Sequence, residues 1–332
     1  MGRGWLVRRT MTDTTVVADA IYEVSESDAR TIYPVVGRLW SGRTEFQAVE
    51  IADSPTYGRI LFLDGELQSA SADEAVYHEA LVHPVMTAAA AQLGSVSGGA
   101  GAAGGLRVLV VGGGEGATVR EVLRWTCVSH VDWVDIDGEL VALCEEHLGW
   151  APGVRSDRRV HFYAEDVRNL LLRGERDTYD VVILDLPDPD GETGYLYSAE
   201  FWADVRHVLR EEGGRLVTHC GPVRPFGNVG EGFQRIWASE AGAAVAGFYH
   251  IGIPSFQGEW GFWMMATGSE RDRPFDFARS GTSLSVLRAI APVELVVSWF
   301  DFTWLTRCAA PDRLWGQAVH AAVVGNASAS GT

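Results

Sequence analysis

VLVVGGGEGATVREVL, residues 108–123, reads as a strand, a glycine turn and a helix, and the other segments take their places around it. Four consecutive apolar residues, Val108 to Val111, have the pattern of a parallel strand buried on both faces. Gly112, Gly113, Gly114 and Gly116 then permit a tight turn with close backbone approach, and an Arg/Glu/Val/Leu helix follows. The spacing is looser than a strict dinucleotide fingerprint, and ordinary α/β turns also carry glycines. Asp135 adds to the signal. It ends a second apolar run, Val131 to Val134, about twenty residues beyond the glycines, where an acid can hold ribose hydroxyls. A nucleotide against the turn is the expectation.

Composition narrows the function classes. The chain has 332 residues, 47% of them hydrophobic, which gives ample material for a core in a globular protein. Its formal charge of −17 argues against nucleic acid or an anionic membrane and favours a cationic small-molecule substrate. All 27 basic residues are arginine, so Schiff-base chemistry and the lysine-bearing phosphate loop drop out. Cys127, Cys144, Cys220 and Cys308 lack the paired spacing of zinc or redox sites and read as reduced thiols of a cytoplasmic protein. The start, MGRGWLVRRTM, has too short an apolar segment for a signal peptide, and Met11 is an alternative first residue.

Taken in order, residues 1–20 read as a disordered lead-in and residues 21–71 as a small β domain. FQAVEIADS, YGRILFLDG and ELQSA alternate and are punctuated by Ser54-Pro55 and Asp64-Gly65, as antiparallel hairpins are. Residues 72–93 have helical composition, with Pro84 expected to separate or kink two pieces, and Gly94 to Gly105 read as a flexible connection. From Leu106 strands and helices alternate: helix Glu139 to Leu148, strand RRVHFYAED, strand YDVVILD, helix Phe201 to Leu209, strand GGRLVTHC, and a closing pair GFYHIGI and WGFWMMA. The prediction is an α/β domain with a seven-stranded class I methyltransferase-like (Rossmann-like) sheet over 72–324, preceded by the small antiparallel β domain and followed by a disordered tail, 325–332.

Ligands of open α/β sheets collect beyond the carboxyl ends of the strands. Those ends carry Glu115, Asp135, Glu165 with Asp166, Asp185 with Asp188, and His219. One such acid is commonly a helix cap, a reading open for Asp166; carboxylates at four successive ends describe a cation-accepting mouth. In DLPDP, residues 185–189, two carboxylates three apart are stiffened by prolines. They could hold an amine cation and take its proton, and Asp185 is the candidate base. HEALVH spaces His78 and His83 five apart, not the four of a zinc helix, so no metal is expected there.

From about Phe46 to Ala266 the chain resembles the spermidine synthase family of aminopropyltransferases, through LFLDGELQ, DEAVYHEALVHP, VVGGGEGATVREVL, VDIDGELV, DLPDP with LYSAEFW, and IPSFQGEWGF. It is most similar to the branch that makes thermospermine or uses agmatine and longer polyamines. The resemblance implies aminopropyl transfer from decarboxylated S-adenosylmethionine as co-substrate to a cationic amine, with release of methylthioadenosine, no metal, and a homodimer or homotetramer. It implies that Gln47, Gln68 and His78 surround the sulfonium donor, with Gly112, Gly114 and Gly116 beneath it. By the same resemblance Glu115 meets the donor's ammonium, Asp135 its ribose, and Glu165 and Asp166 its adenine. Asp185 matches the base, and Tyr77 and Asp188 match residues that hold the acceptor. Glu115 also disfavours intact S-adenosylmethionine, whose carboxylate it would repel.

The acceptor side departs from the family. Phe256 stands where tyrosine is common, His219 replaces a glutamine, Leu186-Pro187 replaces a small hydroxyl pair, and Trp260 lies in the same IPSFQGEWGF segment. Trp299, Phe300, Phe302 and Trp304 either wall an acceptor channel or pack in the core or a subunit contact. Two other functions stay open: a specialised relative that uses intact S-adenosylmethionine for methyl or aminocarboxypropyl transfer or cyclisation, and a non-catalytic polyamine or nucleotide sensor.

Overall fold

The structure is a computed structural model, and it describes residues 19–24, 30–96, 105–187, 195–196, 198–222 and 244–268. Expectations for the lead-in before residue 19, for Asp188, for Cys308, for the aromatic residues at 299–304 and for the tail 325–332 lie outside those residues.

The central sheet is built from β7 (Leu106–Gly112), β8 (Val128–Asp135), β9 (Val160–Ala164), β10 (Val181–Asp185), β11 (Arg215–Pro222), β12 (Ala244–Ile253) and β13 (Gly258–Ala266). Its spatial order is β12-β13-β11-β10-β7-β8-β9, with β7 to β11 parallel and the β12/β13 hairpin antiparallel on β11. This is the expected seven-stranded order. The order of the strands switches between β7 and β10, so a crevice opens beyond their carboxyl ends, where Gly112 and Asp185 are neighbours in register.

Both faces of the sheet are covered, which is why the parallel strands read as continuous apolar runs rather than alternating ones. On one face α1 (Glu74–Val96) and α2 (Ala117–Leu123) bury Leu81, Val85, Met86 and Val119 against Val108, Val110 and Ile183. On the other, α4 (Val167–Arg173) and α5 (Ala199–Val208) bury Leu170, Phe201 and Val205 against Leu109 and Val182. Pro84 does not divide α1, which is a single helix. A proline inside a helix forfeits one backbone bond and crowds the preceding turn at a cost of about 3 kcal/mol. Burial of nearly every side chain from Ala80 to Ala90 offsets that cost. Gly94 and Ser95, expected in a connection, belong to the same helix.

The small β region consists of a ribbon, β1 (Ala20–Val24) with β2 (Arg30–Pro34), and a meander of β3 (Gly37–Arg43), β4 (Ala48–Ser54), β5 (Gly58–Leu63) and β6 (Glu66–Ala70). Asp64 and Gly65 both have positive φ, 48° and 90°, and join β5 to β6 as a two-residue hairpin. One face of the meander, Val49, Ile51 and Leu61, packs on Leu140, Cys144 and Leu148 around α3 (Gly138–His147). A second tie is polar: Asp73, just before α1, accepts from the Ser255 amide (2.7 Å) and hydroxyl (2.8 Å), while the Ser255 carbonyl accepts from Tyr33 Oη of β2 (3.2 Å). Three parts of the chain thus meet at one serine. Among the described residues no helix is long and apolar enough to cross a membrane.

Candidate active site

The glycine turn is shaped by what must stand against it. Gly112, Gly113 and Gly116 adopt φ of 79°, 67° and 75°, the left-handed region that glycine enters without penalty. A Cβ on Gly112 would lie 2.1 Å from the Asp185 carbonyl oxygen, and one on Gly113 would lie 2.7 Å from Asp185 Oδ2. The Gly113 amide donates to the Asp185 carbonyl at 2.9 Å, which fixes the end of β10 against the turn. Gly114 likewise leaves room for Asp135, whose Oδ2 would be 3.3 Å from a Cβ there.

Two hydroxyls hold the Asp185 carboxylate: Tyr77 Oη donates to Oδ1 (3.0 Å) and Thr118 Oγ1 to Oδ2 (2.6 Å). Burial pushes its pKa above the ordinary carboxylate value, and Glu115 adds to the rise, while the His78 charge and the Thr118 hydrogen bond oppose it. Burial likewise raises Asp135 to about 7. The Asp137 amide, 2.9 Å from Asp135 Oδ1, opposes that rise, and the charges of Asp137, Glu115 and Asp185 reinforce it. Three carboxylates therefore repel one another around a turn from which water is largely excluded. Such a site gains free energy by accepting a cation.

Glu115 is not isolated. His78 Nε2 lies 3.3 Å from its Oε1, and the other ring nitrogen meets Glu74 Oε2 at 3.1 Å. Burial alone would lower the His78 pKa, but Glu115 and Glu74 outweigh it and raise it to about 10, so an imidazolium stands between two acids at neutral pH. Arg120 closes the chain with two bonds to Glu74, at 3.0 and 2.9 Å. The repulsion that Glu115 offers to an anionic ligand is thereby weakened. Its side chain borders a cavity of about 640 Å³ that also touches Ala151, Gly153, Arg155 and Phe162.

The remaining candidates divide into groups. Gln47 Nε2 donates to Asp137 Oδ2 (2.9 Å), which also accepts from Thr44 (2.6 Å), so Gln47 is brought to the Asp135 side of the crevice. Gln68 is half-buried on β6. The Glu165 amide donates to the Asp135 carbonyl (3.1 Å), while its carboxylate pairs with Arg173. Asp166 caps α4 through the Arg168 amide (2.9 Å) and pairs with the Arg168 guanidinium. On the other side of Asp185, Tyr77 packs at 5.9 Å from Phe256 and 5.7 Å from Phe262, and Trp260 stacks at 6.1 Å from His219. His219 Nε2 is anchored 2.5 Å from the Leu186 carbonyl. Asp188 lies outside the described residues.

Sequence reasoning missed Thr118, Asp137, Glu74 and Arg120. Thr118 had a readable signal, a hydroxyl in the first turn of the helix that follows the glycines. Arg120 meets Glu74 across 46 residues and Asp137 meets Thr44 across 93, and no local pattern announces such pairs; the Glu74–His78 contact, four apart on one helix, is local.

Comparison with known proteins gives consistent matches. Residues 74–271 match the Spermine/spermidine synthase domain, and residues 21–71 match the Spermidine synthase tetramerisation domain. Polyamine aminopropyltransferase 2 of Pseudomonas aeruginosa is 36% identical over 253 residues, covering 73% of this chain and 66% of the relative. Polyamine aminopropyltransferase 2 of Hyperthermus butylicus is 41% identical over 58% of this chain and 60% of its own, so the chain spans about two thirds or less of these two relatives. Polyamine aminopropyltransferase 1 of the same organism is 38% identical over 68% of this chain and 73% of its own. In fold, a crystal structure of spermidine synthase in complex with the transition state analogue AdoDATO superposes with a TM-score of 0.74 at 20% identity, covering 92% of this chain and 95% of that one.

Proposed function

Because this chain belongs to the spermine/spermidine synthase family, we propose that it transfers an aminopropyl group from decarboxylated S-adenosylmethionine to a polyamine-class amine and releases methylthioadenosine. The observation that carries the proposal is the Asp185 carboxylate, held by two hydroxyls beside two further acids and with its proton affinity raised by burial. Asp185 takes a proton from the acceptor ammonium, and the freed nitrogen lone pair attacks the methylene next to the sulfonium. The N–C bond forms as the C–S bond breaks, and sulfur keeps the electron pair as a neutral thioether. The leaving group is already activated, so this chain supplies alignment, a base, and carboxylates for two cationic reactants.

We assign Gln47, Gln68, His78, Gly112, Gly114, Glu115, Gly116, Asp135, Glu165 and Asp166 to the donor, and Tyr77, Asp188, His219, Phe256 and Trp260 to the acceptor. Aromatic walls of this kind suit a methylene chain and its ammonium groups, which supports a polyamine or agmatine over a compact amine. The domains proposed are 21–71 for assembly and 72–324 for catalysis. Exposed Tyr22, Val24, Ile32 and Val36 on and beside the β1/β2 ribbon support assembly into a homodimer or homotetramer, and the cytoplasm is the proposed location.

The test is to supply the purified chain with the decarboxylated donor and, separately, putrescine, agmatine, spermidine and spermine. Methylthioadenosine formed with one of them is the expected result; no turnover with any refutes the proposal. The His78 imidazolium beside Glu115 favours one competitor, a reaction of intact S-adenosylmethionine, whose carboxylate it would accept. Tighter calorimetric binding of the intact donor would select that reading.

A further inference from the structure

At the far edge of the central sheet, away from the glycine turn, His130, Asp132 and His161 bring their ligand atoms within 4.8 Å of one another. The cluster follows from strand geometry. His130 and Asp132 are two apart on β8 and share a face, and His161 is the direct partner of Asp132 on parallel β9. We propose that these three side chains form a binding site for one zinc-class divalent transition-metal ion, separate from the transfer reaction.

Several observations point to a ligand. Asp132 is almost wholly buried, and its Oδ1 stands 3.0 Å from His130 Nε2, within ion-pair reach, with no further hydrogen bond to either atom. The two atoms converge on one side of the pair, and an ion placed there would be coordinated by both. The other oxygen, Oδ2, accepts from Tyr179 Oη at 2.7 Å, the outer contact that orients a ligating carboxylate and leaves its free oxygen aimed at the site. The His130 and His161 rings are stacked with centroids 4.6 Å apart and planes 25° from parallel, so both can present nitrogen to one centre. Ligands about 2.1 Å from a tetrahedral ion stand roughly 3.4 Å apart, a spacing the exposed His161 reaches by a small rotation.

The donor set decides the class of ion. Two imidazoles and one carboxylate suit zinc and its neighbours, whereas magnesium and calcium require oxygen ligands. A second His/Glu cluster, Glu79, His83 and Glu121, does not qualify. Trp125 Nε1 donates to His83 Nδ1 at 3.3 Å, which leaves the proton on the nitrogen facing Glu121, and Arg124 already pairs with both acids. Since β9 is the edge strand, an ion on the first cluster would fasten that edge to β8.

The experiment uses the full chain stripped of metal by chelator, titrated calorimetrically with zinc chloride and, in parallel, magnesium chloride. One zinc per chain, no magnesium binding, and a rise in Tm of roughly 5 °C at saturation are expected. His161→Ala, at an exposed position, should weaken zinc at least tenfold and abolish the Tm shift. Cobalt should give the visible absorption of a tetrahedral ion in the parent chain and lose it in the variant. No saturable zinc binding overturns the proposal, as does zinc binding that His161→Ala leaves unchanged, since the metal would then sit elsewhere.

Discussion

As the proposed base, Asp185 combines two properties that oppose each other in water: a base must be ionised to accept a proton, and it must hold that proton well. Burial supplies the affinity, and the hydroxyls of Tyr77 and Thr118 preserve the ionised form. Replacing Asp185 with Asn should lower kcat by roughly 10² to 10⁴ while methylthioadenosine still binds in a calorimeter. Unchanged turnover would remove Asp185 from the chemistry. Thr118→Val tests the tuning. The lost hydrogen bond raises the Asp185 pKa further, and the base is active only when ionised, so the acidic limb of the kcat/KM profile should move to higher pH by about one unit. The placement of Asp185 and Asp135 at strand ends was legible because apolar runs are local patterns. The contacts of Asp137 with Thr44 and of Arg120 with Glu74 were not, because only the folded chain brings those partners near.

The strand–turn–helix element at residue 112 is demanding in a way that other turns of this chain are not. Gly65 and Gly112 both have positive φ, but a Cβ on Gly65 meets nothing within 4 Å, while one on Gly112 meets the Asp185 carbonyl at 2.1 Å. Gly65→Ala should therefore cost only the backbone term, about 1–2 kcal/mol, and Gly112→Ala more than about 4 kcal/mol, read from urea midpoints at equal m. Equal losses would show that the conformation, not the contact with β10, sets the requirement. The Asp64-Gly65 hairpin and the glycine turn were both readable from residue type. The continuity of α1 was not: Pro84 is a local instruction to break, and the burial that overrides it belongs to the sheet beneath.

For the molecule as a whole, the acids at the crevice make stability depend on pH and on ligand charge. A carboxyl raised to about 7, as Asp135 is, favours the folded state below the ordinary range near 4, and that contribution is lost as pH rises through about 7. His78, raised to about 10, contributes fully below the ordinary histidine range and loses that contribution as pH rises through about 10. Glu74, lowered to about 2, acts in the opposite sense and matters only in strong acid. The Tm of the ligand-free chain should therefore fall between pH 5.5 and 8. A cationic ligand relieves the repulsion, so the proposed donor, decarboxylated S-adenosylmethionine, should raise Tm more at pH 8 than at pH 5.5, and neutral methylthioadenosine should show a smaller difference. Equal gains for both ligands at both pH values would count against a cation-accepting crevice. Strand order was legible from the alternation of elements, whereas the seating of the meander on α3 and the junction at Ser255 were not, since both depend on which distant surfaces meet.

That junction bears on how such a chain can be inherited. Ser255 binds Asp73 across 182 positions and Tyr33 across 222, so the small β region, the helix that carries Tyr77 and the hairpin that carries Phe256 share one set of hydrogen bonds. Exchange of the first seventy residues with a relative would split that set, however well each half folds. Recombination within this family should leave descendants in which all three segments trace to a single parent.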